Sequence, residues 1–249
     1  KPDYMGLVFA PSKRQVTVDQ AKTLVEELHK QYANRYNRNA EQYSNNVVQA
    51  GTITDVVQDG TIINALQEET ATGDAHEGTL TSTENISPTL IHQEFIKTVG
   101  IFVNETLENL VTIATEVNLD AVQLHGDEDE AFIQSLKERT NVEVWKAVQI
   151  RSAADAEAWI DSSADMLLFD AYHKDERGGT GEVFDWSCLD VFERPFMLAG
   201  GIDSTNVARA IRTVRPYGID ISSGIETDGV KDDEKIKAFT NIVRTIAMP

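Results

Sequence analysis

Short apolar runs alternate along the chain with segments whose apolar residues recur every three to four positions. The runs at Tyr4–Ala10, Lys97–Asn104, Ala121–His125, Val144–Val148, Met166–Asp170, Phe196–Gly200 and Gly218–Ser222 read as strands. The longer period predicts helices over Val18–Gln31, with Thr17 as N-cap, about Glu105–Val117, near Glu128–Arg139, over Asn206–Val214 and over Asp232–Ala247. Ala153–Ile160 and Ser187–Val191 are shorter helical segments. Repeated strand–helix units with near-continuous apolar strands mean a parallel sheet covered by helices. The expected fold is therefore α/β, a (β/α)8 TIM barrel with seven βα units visible. A seven-strand remnant exposes two long edges, so a further strand and helix are expected ahead of Lys1.

One stretch breaks the pattern. Tyr32–Gln93 is rich in Asn, Gln, Thr, Glu and Gly, and Val47, Val48, Ile53, Val56, Val57, Ile62 and Ile63 follow no clean helical period. The expectation is one TIM-barrel domain over residues 1–249 with a polar insertion at about 32–93. A connection of this length is either functional or without fixed structure. A lid, an interface or a small β-subdomain are the structured alternatives.

Composition narrows the class. A chain of 249 residues, 41% apolar, suits one barrel domain, and no apolar run is long enough for a membrane span. No cationic-then-apolar signal segment opens it. The single cysteine, Cys188, fits a reducing, cytoplasmic setting and reads as packing on a helix. A net charge of -19 argues against nucleic acid as a partner. An anionic substrate must then be held by local N–H groups and a few cations.

The candidate chemistry lies at strand C-terminal ends, where barrel enzymes place it. Leu198-Ala-Gly-Gly-Ile202 and Gly218-Ile-Asp-Ile-Ser-Ser-Gly-Ile-Glu226 both end an apolar run in small residues, and two such turns can close around one phosphate. Asp170 closes an apolar strand, where desolvation suits a general acid; a helix cap or ion-pair partner is the alternative. Arg14, beside Lys13 on the first loop, can clamp a carboxylate. His125 can bind substrate or donate a proton, or serve the structure. Asp220 and Ser222 share one side of the last strand. Gly178-Gly-Thr-Gly181 can wrap an anion or simply turn. No zinc spacing, Walker loop, G-x-S-x-G elbow or dinucleotide fingerprint is present.

Six co-linear motifs carry a resemblance. Tyr4-Met-Gly-Leu-Val-Phe9 with Ser12-Lys-Arg14, Val99-Gly-Ile-Phe-Val-Asn104, Ala121-Val-Gln-Leu-His-Gly126, Gly178-Gly-Thr-Gly with Phe184-Asp-Trp186, Leu198-Ala-Gly-Gly201 with Asn206-Val207, and Asp220-Ile-Ser-Ser-Gly-Ile-Glu226 resemble phosphoribosylanthranilate isomerase of tryptophan biosynthesis. They span the chain outside Tyr32–Gln93. The resemblance implies a (β/α)8 barrel that performs an Amadori rearrangement of a small phosphorylated substrate without cofactor or metal, as a monomer or homodimer. It implies Asp170 as general acid, Arg14 on the anthranilate moiety and Asp220 as an active-site aspartate at the end of the last strand; with His125, read from its own position, Asp220 is expected to bind substrate. Gly200, Gly201, Ser222, Ser223 and Gly224 then form the phosphate cradle. The family's general base is a cysteine in a Lys-Ile-Cys-Gly type motif on its first strand, and this sequence contains no such motif. Two other readings stay open: another phosphosugar-isomerising barrel, such as the histidine-pathway aminoaldose isomerase, and a non-catalytic phosphate-binding barrel.

Overall fold

The computed structural model describes residues 2–32, 53–58, 61–66, 96–171, 186–189 and 192–246. They fall into two compact units, Lys1–Val25 with Ile96–Pro249, and Glu26–Phe95. In chain order the elements are β1 (Tyr4–Val8), α1 (residues 18–32), β2 (Ile53–Gln58), β3 (Thr61–Leu66), β4 (Lys97–Phe102), α2 (Leu107–Val117), β5 (Ala121–Leu124), α3 (Glu130–Arg139) and β6 (Glu143–Ile150). Then follow α4 (Ala153–Glu157), β7 (Met166–Ala171), a 3₁₀ turn (Trp186–Leu189), β8 (Phe196–Ala199), α5 (Val207–Val214) and β9 (Gly218–Ile219). A second 3₁₀ turn (Ser223–Ile225), β10 (Glu226–Thr227), β11 (Val230–Lys231) and α6 (Asp233–Ile246) close the chain.

The larger unit is built on a seven-stranded sheet in the order β1-β4-β5-β6-β7-β8-β9, and every pairing in it is parallel. Its two faces bury different sets. Val99, Ala121, Trp145, Ala147, Leu168, Met197 and Ala199 pack together on one side, and all seven are strand residues. That strand-only cluster is the interior of a barrel-type sheet. Residues of the opposite parity, among them Val122, Leu124, Val144, Leu167, Phe169 and Leu198, join Leu110, Ile133, Leu136 and Phe239 from the helices in the outer core. The fold is α/β, of the (β/α)8 barrel class, with seven of the strands in this sheet.

Where boundaries differ from the sequence reading, local hydrogen bonding explains the shift. The Thr106 hydroxyl accepts from Asn109 N–H, so α2 starts at Leu107 rather than Glu105. Asp129 caps α3 through Phe132 N–H, which frees Glu128 to turn inward. β8 stops at Ala199 because Gly200 and Gly201 take φ of 83° and 59°, outside any strand. The last strand shortens to Gly218–Ile219, although Asp220 N–H still reaches Leu198 O at 2.9 Å. Of the segment read as Ser187–Val191, the described part belongs to the 3₁₀ turn Trp186–Leu189, in which Cys188 packs against the outer core, and Ala153–Ile160 is helical only to Glu157.

In the smaller unit β2 and β3 pair antiparallel, Gln58 opposite Thr61 and Ile53 opposite Leu66. The sequence places Asp59-Gly60 between them, the dipeptide that favours a two-residue hairpin turn. A reading by helical period alone passes over that signal.

Candidate active site

Strand parity gathers the candidate groups. Ala121 lies on the interior side of β5, so Gln123 and then His125, just beyond the strand, follow on that side. Leu168 does the same for Asp170 on β7, and Gly218, which pairs with the interior residue Met197, for Asp220 after β9. His125 Nε2 stands 3.4 Å from Asp170 Oδ2, with the two side chains 28% and 30% exposed, open enough to meet a ligand. The Gln123 amide nitrogen lies 3.3 Å from His125 Nδ1. With that amide nitrogen as donor, a neutral imidazole carries its proton on Nε2, facing Asp170.

Asp220 completes the group. Burial pushes its carboxyl above the ordinary aspartate value, and the Asp170 charge adds to that rise. His125, Lys231 and the Ile221 N–H act in the opposite direction. Two carboxyls and one imidazole thus share a small region where one carboxyl is biased to keep its proton.

Arg14 sits at the tip of a closed loop. Val16 N–H reaches back to Val8 O at 2.9 Å, Gln15 Nε2 donates to Phe9 O, and Ser12 Oγ accepts from Arg14 N–H. The guanidinium is not aimed at open solvent. Its Nε and Nη2 donate to Glu226 Oε1 and Oε2 at 2.8 and 2.9 Å. Lys231 approaches the same carboxylate at 3.1 Å, while also donating to Ser222 O at 2.8 Å. The Arg14 hydrogen bonds, with Lys231 behind them, hold Glu226 at a pKa of about 2.

The two small-residue turns touch. A Cβ on Gly224 would lie 2.4 Å from Ile202 O, so only glycine lets the turns approach this closely. The first turn is braced from within: Asn206 Nδ2 donates to Gly201 O, and Asp203 Oδ1 accepts from Thr205 and Asn206. A cavity of about 350 Å³ lies beside them, lined among others by Thr205, Ser223, Gly224 and Lys235.

Comparison with known proteins bears on this arrangement. The sequence model of the family described as N-(5'phosphoribosyl)anthranilate (PRA) isomerase matches residues 45–242. The chain belongs to this family. It is 36% identical over 248 residues, 99% of its length, to the N-(5'-phosphoribosyl)anthranilate isomerase of Thermoanaerobacter sp. (strain X514), of which it covers 89%. The phosphoribosyl anthranilate isomerase of Thermotoga maritima has a similar structure, with TM-score 0.65 and 27% identity over 98% of this chain and 88% of that one. A phosphoribosyl anthranilate isomerase in complex with reduced 1-(o-carboxyphenylamino)-1-deoxyribulose 5-phosphate superimposes with TM-score 0.61 and 25% identity, covering 98% and 88%. Membership places the chain with the isomerases of the tryptophan pathway rather than with the histidine-pathway aminoaldose isomerase.

The geometry brings Asp170, His125 and Asp220 into one group, Gly200, Gly201, Ser222, Ser223 and Gly224 into touching turns, and Arg14 onto Glu226. Gly178–Gly181 lies outside the described residues. Sequence reasoning missed Glu226 and Lys231 as members of the site. Their one local signal was the acidic end of the last phosphate turn, which carries no hint of an arginine 212 residues away. Among the described residues no helix is long and apolar enough to cross a membrane.

Proposed function

We propose that the chain isomerises N-(5'-phosphoribosyl)anthranilate to 1-(2-carboxyphenylamino)-1-deoxyribulose 5-phosphate, with Asp170 as general acid. The observation that carries the residue roles is the His125–Asp170 contact at 3.4 Å on the interior side of the sheet, beside Asp220. Asp170 protonates the furanose ring oxygen as the C1'–O4' bond breaks, and the anilino nitrogen lone pair forms the C1' iminium. Removal of the C2' proton by a base returns those electrons to nitrogen as an enolamine. Tautomerisation, with a proton delivered to C1' and the C2' hydroxyl proton released, gives the C2' ketone. His125 Nε2–H faces the carboxylate left on Asp170 and stabilises it until it is reprotonated.

Arg14 binds the anthranilate carboxylate, Asp220 the ribose portion, and the turns at Gly200–Gly201 and Ser222–Gly224 the phosphate. Cys188 takes no part in this assignment, since it packs against the outer core. The net charge of -19 argues against nucleic acid as a partner, and the phosphorylated substrate and product favour the cytoplasm.

The test is turnover of N-(5'-phosphoribosyl)anthranilate by the purified protein, followed by loss of the substrate's anthranilate fluorescence. Asp170→Asn is expected to lower kcat by about 10²–10⁴-fold while leaving affinity for the reduced product analogue within about threefold, because an amide cannot donate the proton. Near-normal turnover by Asp170→Asn would move the acid elsewhere, and absence of turnover in the unaltered protein would refute the proposal.

A further inference from the structure

We infer that Glu226 is a positioning residue that fixes the orientation of Arg14 and thereby sets this site's preference for ligands bearing a carboxylate. The inference rests on the proposed role of Arg14 as the carboxylate clamp. Its ground is which edge of the guanidinium is taken. Glu226 occupies the side-on edge, Nε with Nη2. Among the described residues nothing bonds the end-on edge, Nη1 with the second Nη2 hydrogen, which can take a second carboxylate in the same plane. An arginine held on one edge presents its other edge in one orientation, and so loses less side-chain freedom when a ligand binds.

The surroundings set this pair apart from an ordinary surface contact. The Glu226 side chain is 7% exposed, whereas Arg14 remains 34% exposed and accessible to a ligand. Two lysines hold Glu226 further. Lys231 approaches Oε1 at 3.1 Å, and Lys235 Nζ donates to the Glu226 backbone carbonyl at 2.7 Å. Through Lys231, which also donates to Ser222 O and lies 3.3 Å from Ser222 Oγ, the same carboxylate reaches the phosphate turn. Glu226 therefore joins the two ends of the site, carboxylate and phosphate. Its stronger bonds are to the carboxylate end.

The experiment is a double-mutant cycle read by calorimetric binding to the full chain. One ligand is reduced 1-(o-carboxyphenylamino)-1-deoxyribulose 5-phosphate. The other is its phenylamino counterpart, which lacks the carboxylate. Arg14→Ala is expected to weaken the carboxylate ligand by about 30-fold or more. Glu226→Ala should weaken it about tenfold and the counterpart less than about threefold. In the Arg14→Ala background, Glu226→Ala should cost less than about twofold further, because its effect passes through the arginine. Glu226→Gln keeps one acceptor and should recover part of the loss; if the alanine variant does not fold, the glutamine variant completes the cycle. Additive losses in the double variant, or equal losses for the two ligands, would overturn the role of Glu226 while leaving Arg14's standing. No loss from Arg14→Ala would instead refute the role assigned to Arg14, and the inference with it.

Discussion

At the scale of single residues, Asp220 shows function set against stability. Burial and the neighbouring Asp170 raise its carboxyl above the ordinary value. An acid whose folded pKa is raised holds its proton in the folded chain while the unfolded chain has released it. The penalty is absent at low pH, grows as pH rises above about 3.9, the unfolded value, and is complete once pH passes the folded value. Asp220→Asn is therefore expected to raise Tm at neutral pH, with the gain shrinking to nothing as pH falls below that lower bound. The same variant should lose kcat/KM. Thermal melts across the acidic range decide it: a lower Tm for the variant at neutral pH would mean that His125 and Lys231 more than offset the burial cost.

At the scale of elements, the loops after β4 and β5 are tied to β6 by a buried ion pair. Lys146 lies between Val144 and Val148 on the helix side of its strand, and its ammonium donates to Gly126 O at 2.6 Å and lies 3.4 Å from Glu128. Both side chains are 3% exposed, and burial lowers the Lys146 pKa against the opposing pull of Glu128. Glu128 in turn accepts from Asn104 N–H and Gly126 N–H, at 2.7 and 2.9 Å. Lys146 also donates to Leu124 O at 3.3 Å, so the backbone on both sides of His125 is fixed from behind. Removing one member leaves an uncompensated charge, so Glu128→Ala is expected to cost about 3–5 kcal/mol. Replacing both Glu128 and Lys146 by Met should cost less than that single change. Urea unfolding of the single and double variants tests both statements, and a double variant less stable than Glu128→Ala would contradict them.

At the scale of the whole molecule, we propose that residues 1–249 form one barrel domain into which the stretch at about 32–93 is inserted. The insertion joins the end of α1 to the start of β4, a helix-to-strand connection. Catalytic loops in this architecture follow strands instead, at their C-terminal ends. A linker of a few Gly and Ser residues in place of residues 33–95 is expected to leave kcat/KM within about tenfold, roughly 1.4 kcal/mol in the barrier. Kinetics and a melting curve on the shortened protein check this. A larger loss with the fold intact would assign the insertion to the site.

Most of the fold was legible in the sequence because its signals are local. Alternating apolar runs and helical periods located the seven strands of the sheet, and the cap residue Thr17 marks where α1 begins. The places of the two small-residue turns and of Asp170 were legible for the same reason, since small or acidic residues that end an apolar strand fall at its C-terminal end. The remaining features depend on residues distant in sequence. Nothing near Arg14 announces that Glu226 will take one edge of its guanidinium, and nothing near Lys146 announces Glu128. The raised carboxyl of Asp220 likewise depends on Asp170 and on burial that only the packed strands create. Periodicity and turn chemistry act over a few neighbouring residues and so determined the elements. Ion pairing and desolvation act through space, and were decided only when the parallel sheet brought the C-terminal ends of β1, β5, β7 and β9 together.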